Sequence, residues 1–238
     1  MPSSLEYDTE IAGLEATVAD QKSRLAVILT HPWGPLGGNR HNNVVIAAAY
    51  YFQKLGLTTV RFDFAGLQIG RGYTQVEQVE RVGEALLRGD VLESNPEFLL
   101  IVGYSYGSLI AASARIPKAI GCISIAPPFG VQHWLLMFSA NDHLSRATQS
   151  RANLPRLLIL GDKDNFTSES TFHQIIKDRY PSESTTGAVL KDVDHFFRRR
   201  EKDVMRVIRE WLSSTYAGQL GDSLENLKSA DLSAYADR

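Results

Sequence analysis

Six short runs, at residues 24–30, 58–64, 98–102, 121–126, 156–160 and 187–193, constrain this chain more than any other feature. Those at 24–30, 98–102, 121–126 and 156–160 are almost wholly apolar and bounded by Gly, Pro or polar turns. They are too short for buried helices and read as strands covered on both faces. Between the runs the apolar spacing turns helical. Residues 43–55 have Asn42 or Asn43 as N-cap and Gly56 beyond the end. Residues 75–92 carry Val76, Val79, Val82 and Leu86 at helical spacing, and 108–115 are small and helix-compatible. Residues 169–180 follow, and 196–216 place Phe197, Val204, Val207, Ile208 and Trp211 on one side.

Strand and helix in alternation predict an α/β fold: a mostly parallel, doubly wound sheet with helices on both faces. Residues 5–22 alternate loosely between apolar and polar and predict antiparallel strands at one sheet edge. No internal repeat or linker interrupts the pattern, so residues 1–238 are expected to form a single domain. Two stretches depart from the rhythm. Residues 127–154, with Trp134, Leu135, Met137 and Phe138, read either as a flap over a site or as a helical insertion packing its apolar side on the body. The tail from about 218 is polar and is expected to dock loosely.

Composition excludes several classes of function. A net charge of −2 gives no reason to expect nucleic acid or anionic lipid as a partner. No apolar run approaches the ~20 residues of a membrane-spanning helix. The start of the chain, Met1 to Asp8, lacks the basic-then-apolar pattern of a secretory signal, and the expected location is the cytoplasm. A single cysteine, Cys122, rules out an intramolecular disulfide and a cysteine-rich metal site; its place among Ile123 and Ile125 reads as core.

At the end of the run 98–102 stands Gly103-Tyr104-Ser105-Tyr106-Gly107, a G-x-S-x-G pentapeptide at a strand-to-helix junction. The pentapeptide arises often by chance, and its context gives it weight. Such a junction holds a serine in a strained turn with its hydroxyl above the sheet edge. The helix beginning there aims free N–H groups at any anion formed beside it. Reactive groups of a parallel sheet collect at the carboxyl ends of its strands. Here those ends carry Ser105, then Asp162 and Asp164, then His195, with His31-Pro32-Trp33-Gly34 after the first strong strand.

With the segments HPWGPLGG (31–38), RFDFAG (61–66), GYSYG (103–107), GDKD (161–164) and DHFF (194–197) in this order, the chain resembles the α/β-hydrolase superfamily over roughly residues 24–212. It is similar to small, compact serine hydrolases and esterases with a His-Pro oxyanion loop. The loop after RFDFAG reads LQIGRG, where relatives usually have a serine between glycines. The resemblance implies that fold with at most a small cap. It also implies Ser105 as nucleophile, His195 as base, and Asp164, from the pattern Gly-x-x-Asp, as the group orienting the imidazole. Asp162 is then a turn residue. His195 is the histidine that follows both the serine and the acid at a strand terminus.

Backbone N–H groups of Trp33 and Tyr106 are the implied oxyanion donors. Gly34, Tyr104, Trp134 and Phe138 are candidate pocket residues. Arg198 to Arg200, followed by Glu201, Lys202 and Asp203, read as a solvated helix face rather than an anion site. The expected function is hydrolysis of a small or medium carboxylic ester or thioester, a small-molecule acyl substrate, through an acyl-enzyme, with no metal or organic cofactor. Two alternatives stay open: acyl transfer by the same groups, and a non-catalytic binding or scaffold protein on this fold.

Overall fold

In the computed structural model the runs become the strands of one eight-stranded sheet, ordered β1-β2-β4-β3-β5-β6-β7-β8. The structure describes residues 5–149, 152–221 and 223–236; Met1–Ser4 of the expected signal-free start, residues 150 and 151 of the insertion, and residues 222, 237 and 238 of the tail lie outside them. β1 (Glu6–Ile11) and β2 (Leu14–Ala19) form an antiparallel hairpin, and β2 lies antiparallel to β4 (Thr58–Phe62). From there the sheet is parallel through β3 (Leu25–Thr30), β5 (Phe98–Tyr104), β6 (Ala119–Ile125), β7 (Arg156–Gly161) and β8 (Thr185–Leu190).

The strand period of two sorts side chains onto two cores. Ala26, Ile28, Leu99, Ile101, Leu158 and Leu160 face one side. There they pack against α2 (Tyr73–Arg88), α3 (Tyr106–Ser113), α5 (Ala140–Gln149) and α6 (Glu169–Arg179). Leu25, Val27, Leu29, Leu100, Val102, Leu157 and Ile159 face the other, against α1 (Asn43–Lys54) and α7 (Glu201–Thr215). A short α4 (Gln132–Leu135) precedes α5. Asn42 caps α1, its side chain accepting the Val44 N–H, and Gly56 takes a positive φ just past the end.

Three elements differ from the sequence pattern, each for a packing reason. The last strand stops at Leu190, so His195 stands on a loop beyond it. α7 starts at Glu201; Phe197 is fully buried, but from a turn with φ 50° against the ring of Tyr104, not from a helix face. Arg198 to Arg200 therefore belong to a loop. The tail docks closely. Leu227 and Leu232 are fully buried, Arg24 N–H donates to Lys228 O (2.9 Å), and Tyr235 Oη donates to Thr215 O (2.9 Å). Its sparse leucines, rather than its polar average, decide the outcome. Residues 127–154 form α4 and α5, with Leu135, Leu136, Ala140 and Leu144 in the core.

Candidate active site

Ser105 occupies the junction between β5 and α3 with φ 53° and ψ −124°. A residue with a Cβ in that region costs about 1–3 kcal/mol, so the surroundings must impose it. Ser105 N–H donates to Ile125 O (2.9 Å), while Ser108 donates to Ser105 O from both its N–H (2.9 Å) and its hydroxyl (2.6 Å). A Cβ on Gly103 would lie 2.5 Å from Ser108 Cα, and one on Gly107 would lie 2.5 Å from His31 O. Both are backbone contacts that cannot swing aside. The glycines are required by the closeness of strand, turn and helix.

Two loops bring partners to this hydroxyl. His195 Nε2 is 2.9 Å from Ser105 Oγ, and His195 Nδ1 is 2.6 Å from Asp164 Oδ2. The Asp164 side chain is fully buried and its other oxygen accepts the N–H groups of Phe166 (2.8 Å) and Thr167 (3.0 Å). A carboxylate accepts only, so Nδ1 carries the imidazole proton and Nε2 offers a lone pair to the hydroxyl. Asp162 does not reach the ring. It accepts the Val193 N–H (3.3 Å) and lies 3.9 Å from Lys191 Nζ. The imidazole is held on three sides. Tyr104 stacks at 5.8 Å and donates its hydroxyl to His195 O (2.9 Å), and Phe166 and Phe196 meet the ring edge to face at 4.5 and 5.7 Å. Burial, reinforced by the Asp164 charge, raises the Tyr104 phenol far above its ordinary pKa, which keeps it a donor.

The loop after β3 is tied to the loop after β4 by two clamps. His31, 1% exposed, sits with Nδ1 2.6 Å from Pro32 O and accepts the Phe64 N–H at Nε2 (2.9 Å). Burial lowers its pKa, so it stays a neutral bridge. Gln68 is the second clamp: its Oε1 accepts the Gly34 N–H (2.8 Å), and its carbonyl accepts the Trp33 indole N–H. No acceptor among the described residues takes the backbone N–H of Trp33 or of Tyr106.

Gly34 does not line the cavity. A Cβ there would lie 2.6 Å from Gln68 Nε2, so a side chain at this position would displace the carboxamide that holds the Gly34 N–H rather than a substrate. The LQIGRG loop, where the sequence departs from the usual pattern, supplies this glutamine. His143 is also a buried, bonded imidazole, against Ser113 Oγ (2.8 Å) and Arg71 O (2.6 Å), with its pKa lowered by burial. Burial pushes the Cys122 thiol up to about 11, the state of an inert core residue.

Beside Ser105 opens a cavity of about 340 Å³ lined by Trp33, Leu36, Tyr104, Val131, Trp134, Leu135, Phe166 and Phe196, among others. Apart from His195 the lining has no ionisable side chain except the Tyr104 phenol already bonded to a carbonyl. Of the four residues expected to line it, Tyr104 and Trp134 do. Trp134 packs edge to face on Trp33 at 5.1 Å. Phe138 lies outside, 89% exposed, because its turn carries it past Leu136, the residue that anchors the segment. Phe166 and Phe196 were not singled out from the sequence. Their signal was adjacency: each lies within two residues of a candidate acid or base.

No family model matches this chain. It is 24% identical over 213 residues to an uncharacterized protein of Rickettsia prowazekii, covering 85% of this chain and 84% of that one. It is 27% identical over 203 residues to an uncharacterized protein of Schizosaccharomyces pombe, covering 79% and 85%. Among solved structures it is similar to an α/β serine hydrolase without a lid from Xanthomonas campestris (TM-score 0.70, 22% identity, 90% of this chain and 96% of that one). It is also similar to an α/β serine hydrolase homologue from Coxiella burnetii (TM-score 0.64, 21%, 88% and 98%). A third is the esterase Pf2001 of Pyrococcus furiosus (TM-score 0.68, 15%, 88% and 92%). With its sheet order, its antiparallel first pair and its flanking helices, the chain has the α/β-hydrolase fold.

Proposed function

We propose that the protein is a serine hydrolase of small or medium apolar carboxylic esters or thioesters. The observation that carries this is the continuous line Ser105 Oγ–His195 Nε2 (2.9 Å) and His195 Nδ1–Asp164 Oδ2 (2.6 Å), beside an apolar cavity. A free hydroxyl is barely nucleophilic at neutral pH and needs a base within hydrogen-bond reach. Ser105 Oγ attacks the acyl carbon as its proton passes to His195 Nε2, and the Asp164 carboxylate stabilises the imidazolium. The carbonyl oxygen, now anionic, takes the free N–H groups of Trp33 and Tyr106. His195 then protonates the departing alkoxide or thiolate, leaving an acyl-Ser105 ester. Water, deprotonated by the same imidazole, releases the acid. The acyl group occupies the cavity, whose walls offer a carboxylate or ammonium group no counter-charge, so the acyl portion is uncharged.

The test is reaction of the purified protein with a fluorophosphonate probe, together with hydrolysis of short nitrophenyl esters. The expected result is a single adduct mapped to the peptide bearing Ser105 and burst kinetics from acyl-enzyme accumulation. No adduct and no turnover would leave a non-catalytic protein on this fold.

The oxyanion assignment has its own test. Trp33 has φ −62°, the angle proline imposes, so Trp33→Pro removes the N–H at an angle this residue already holds. Its kcat is expected to fall about 10²–10³-fold below that of Trp33→Ala, which loses the same indole but keeps the donor. Equal rates for the two variants would remove Trp33 from the oxyanion site.

A further inference from the structure

Among the described residues, all exposed large apolar side chains except Leu5 and Tyr7 stand on the segments that leave the carboxyl ends of four strands. They include Leu36 (73% exposed) after β3, Leu67 (84%) and Ile69 (62%) after β4, Trp134 (67%) and Phe138 (89%) after β6, and Phe196 (44%) after β8. These strands run parallel, so the loops emerge on the same side. Leu36, Trp134 and Phe196 also line the cavity beside Ser105, and the Trp33 indole, packed on the Trp134 ring, ties the remaining loop, after β4, to them through Gln68 O. The apolar tips thus ring the mouth of the site. Met137 and Phe138 hold consecutive left-handed φ values of 41° and 70°, an unfavourable turn that ends with Phe138 in solvent. An apolar surface of this extent, several hundred Å² by the usual size of such side chains, marks a contact with something else.

We infer that the ring seats on an anionic lipid surface and that the substrate is an acyl ester drawn from it. A lipid substrate presupposes the ester hydrolysis proposed above. Two observations favour lipid over a protein occupant. A second copy or another protein on the ring would close the mouth that the substrate must enter, whereas a lipid surface delivers substrate through it. In addition, Arg71 lies two residues beyond Ile69, and Arg198 covers the Phe196 ring at 5.6 Å beside Arg199. None of the three has a carboxylate partner among the described residues. Aromatic and aliphatic tips with a cationic collar suit the boundary between headgroups and acyl chains.

The experiment separates binding from catalysis by using Ser105→Ala, which cannot turn the lipid over. That protein is spun with vesicles of phosphatidylcholine, and with equimolar phosphatidylcholine and phosphatidylglycerol, and its oligomeric state in solution is measured alongside. The expected result is sedimentation with the mixed vesicles, weakened by salt, and at least tenfold weaker partitioning in Leu67→Asp/Phe138→Asp on the same background. With Ser105 restored, the double variant should hydrolyse a soluble acetate ester at the parental rate, because neither residue lines the cavity. Protein left in the supernatant with both vesicles, or sedimenting regardless of the two aspartates, would overturn the inference. So would a dimer that the aspartates dissolve, since it would make a second copy the occupant. Failure of ester hydrolysis with vesicle binding intact would instead overturn the esterase function and, with it, the lipid as substrate.

Discussion

Ser105→Ala is expected to lower kcat for a nitrophenyl ester by about 10⁶-fold, to the level left by binding and the oxyanion donors alone. The size of the effect follows from the absence of a substitute. The hydroxyls of three neighbouring residues already donate to backbone carbonyls: Ser108 to Ser105 O (2.6 Å), Thr30 to Gly107 O (2.9 Å) and Tyr104 to His195 O (2.9 Å). Moving any of them into attack would give up that bond and still leave the hydroxyl without a base. The backbone should tolerate the change. Alanine and serine bear the same Cβ strain at φ 53°, and the substitution removes one hydrogen bond, worth about 1 kcal/mol. The check is kcat together with thermal unfolding. A loss of activity with Tm shifted by only a few degrees is expected, and a residual rate within about 10³ of the parent would mean that His195 activates water directly.

The central strands were legible because burial on both faces leaves no alternation to confuse. Residues 98–102 and 157–160 are apolar throughout, and both lie in fully buried strands. The edge was harder to read. In β8 only Leu190 is buried, so nothing in the sequence marked where pairing ends, and the histidine at 195 emerged on a loop instead of at the strand terminus. Phe197 misled in a different way. An apolar residue at helical spacing from Val204 and Ile208 suggested a longer helix, but it serves Tyr104 from a left-handed turn.

The clamp around the Trp33 loop was not legible at all. Gln68 lies in a loop whose composition signals only a turn, and its contacts to Gly34 and Trp33 cross more than thirty residues of chain. Gly34 shows the same limit. The glycine was visible, but the carboxamide packed against it was not. Local pattern records which face is buried; it does not record which distant carboxamide fills the space.

The two aspartates after β7 give the other large effect, and geometry rather than spacing decides between them. Asp164→Asn is expected to lower kcat about 10⁴-fold, while Asp162→Asn should change it by less than about threefold. The asparagine at 164 has no freedom to adapt. Two backbone N–H groups, of Phe166 and Thr167, point at the oxygen farther from the histidine and can only be met by an acceptor. The amide must therefore place its carbonyl there and its NH₂ toward His195 Nδ1. That arrangement forces the tautomer with its proton on Nε2, aimed at Ser105, where a lone pair is needed, and it removes the charge that stabilises the imidazolium. An asparagine at 162 keeps its acceptor for the Val193 N–H and leaves the imidazole untouched. Steady-state kinetics of the two purified variants decide the matter. Comparable losses, or the larger loss at 162, would transfer the orienting role away from Asp164 and break the charge line on which the hydrolytic chemistry depends.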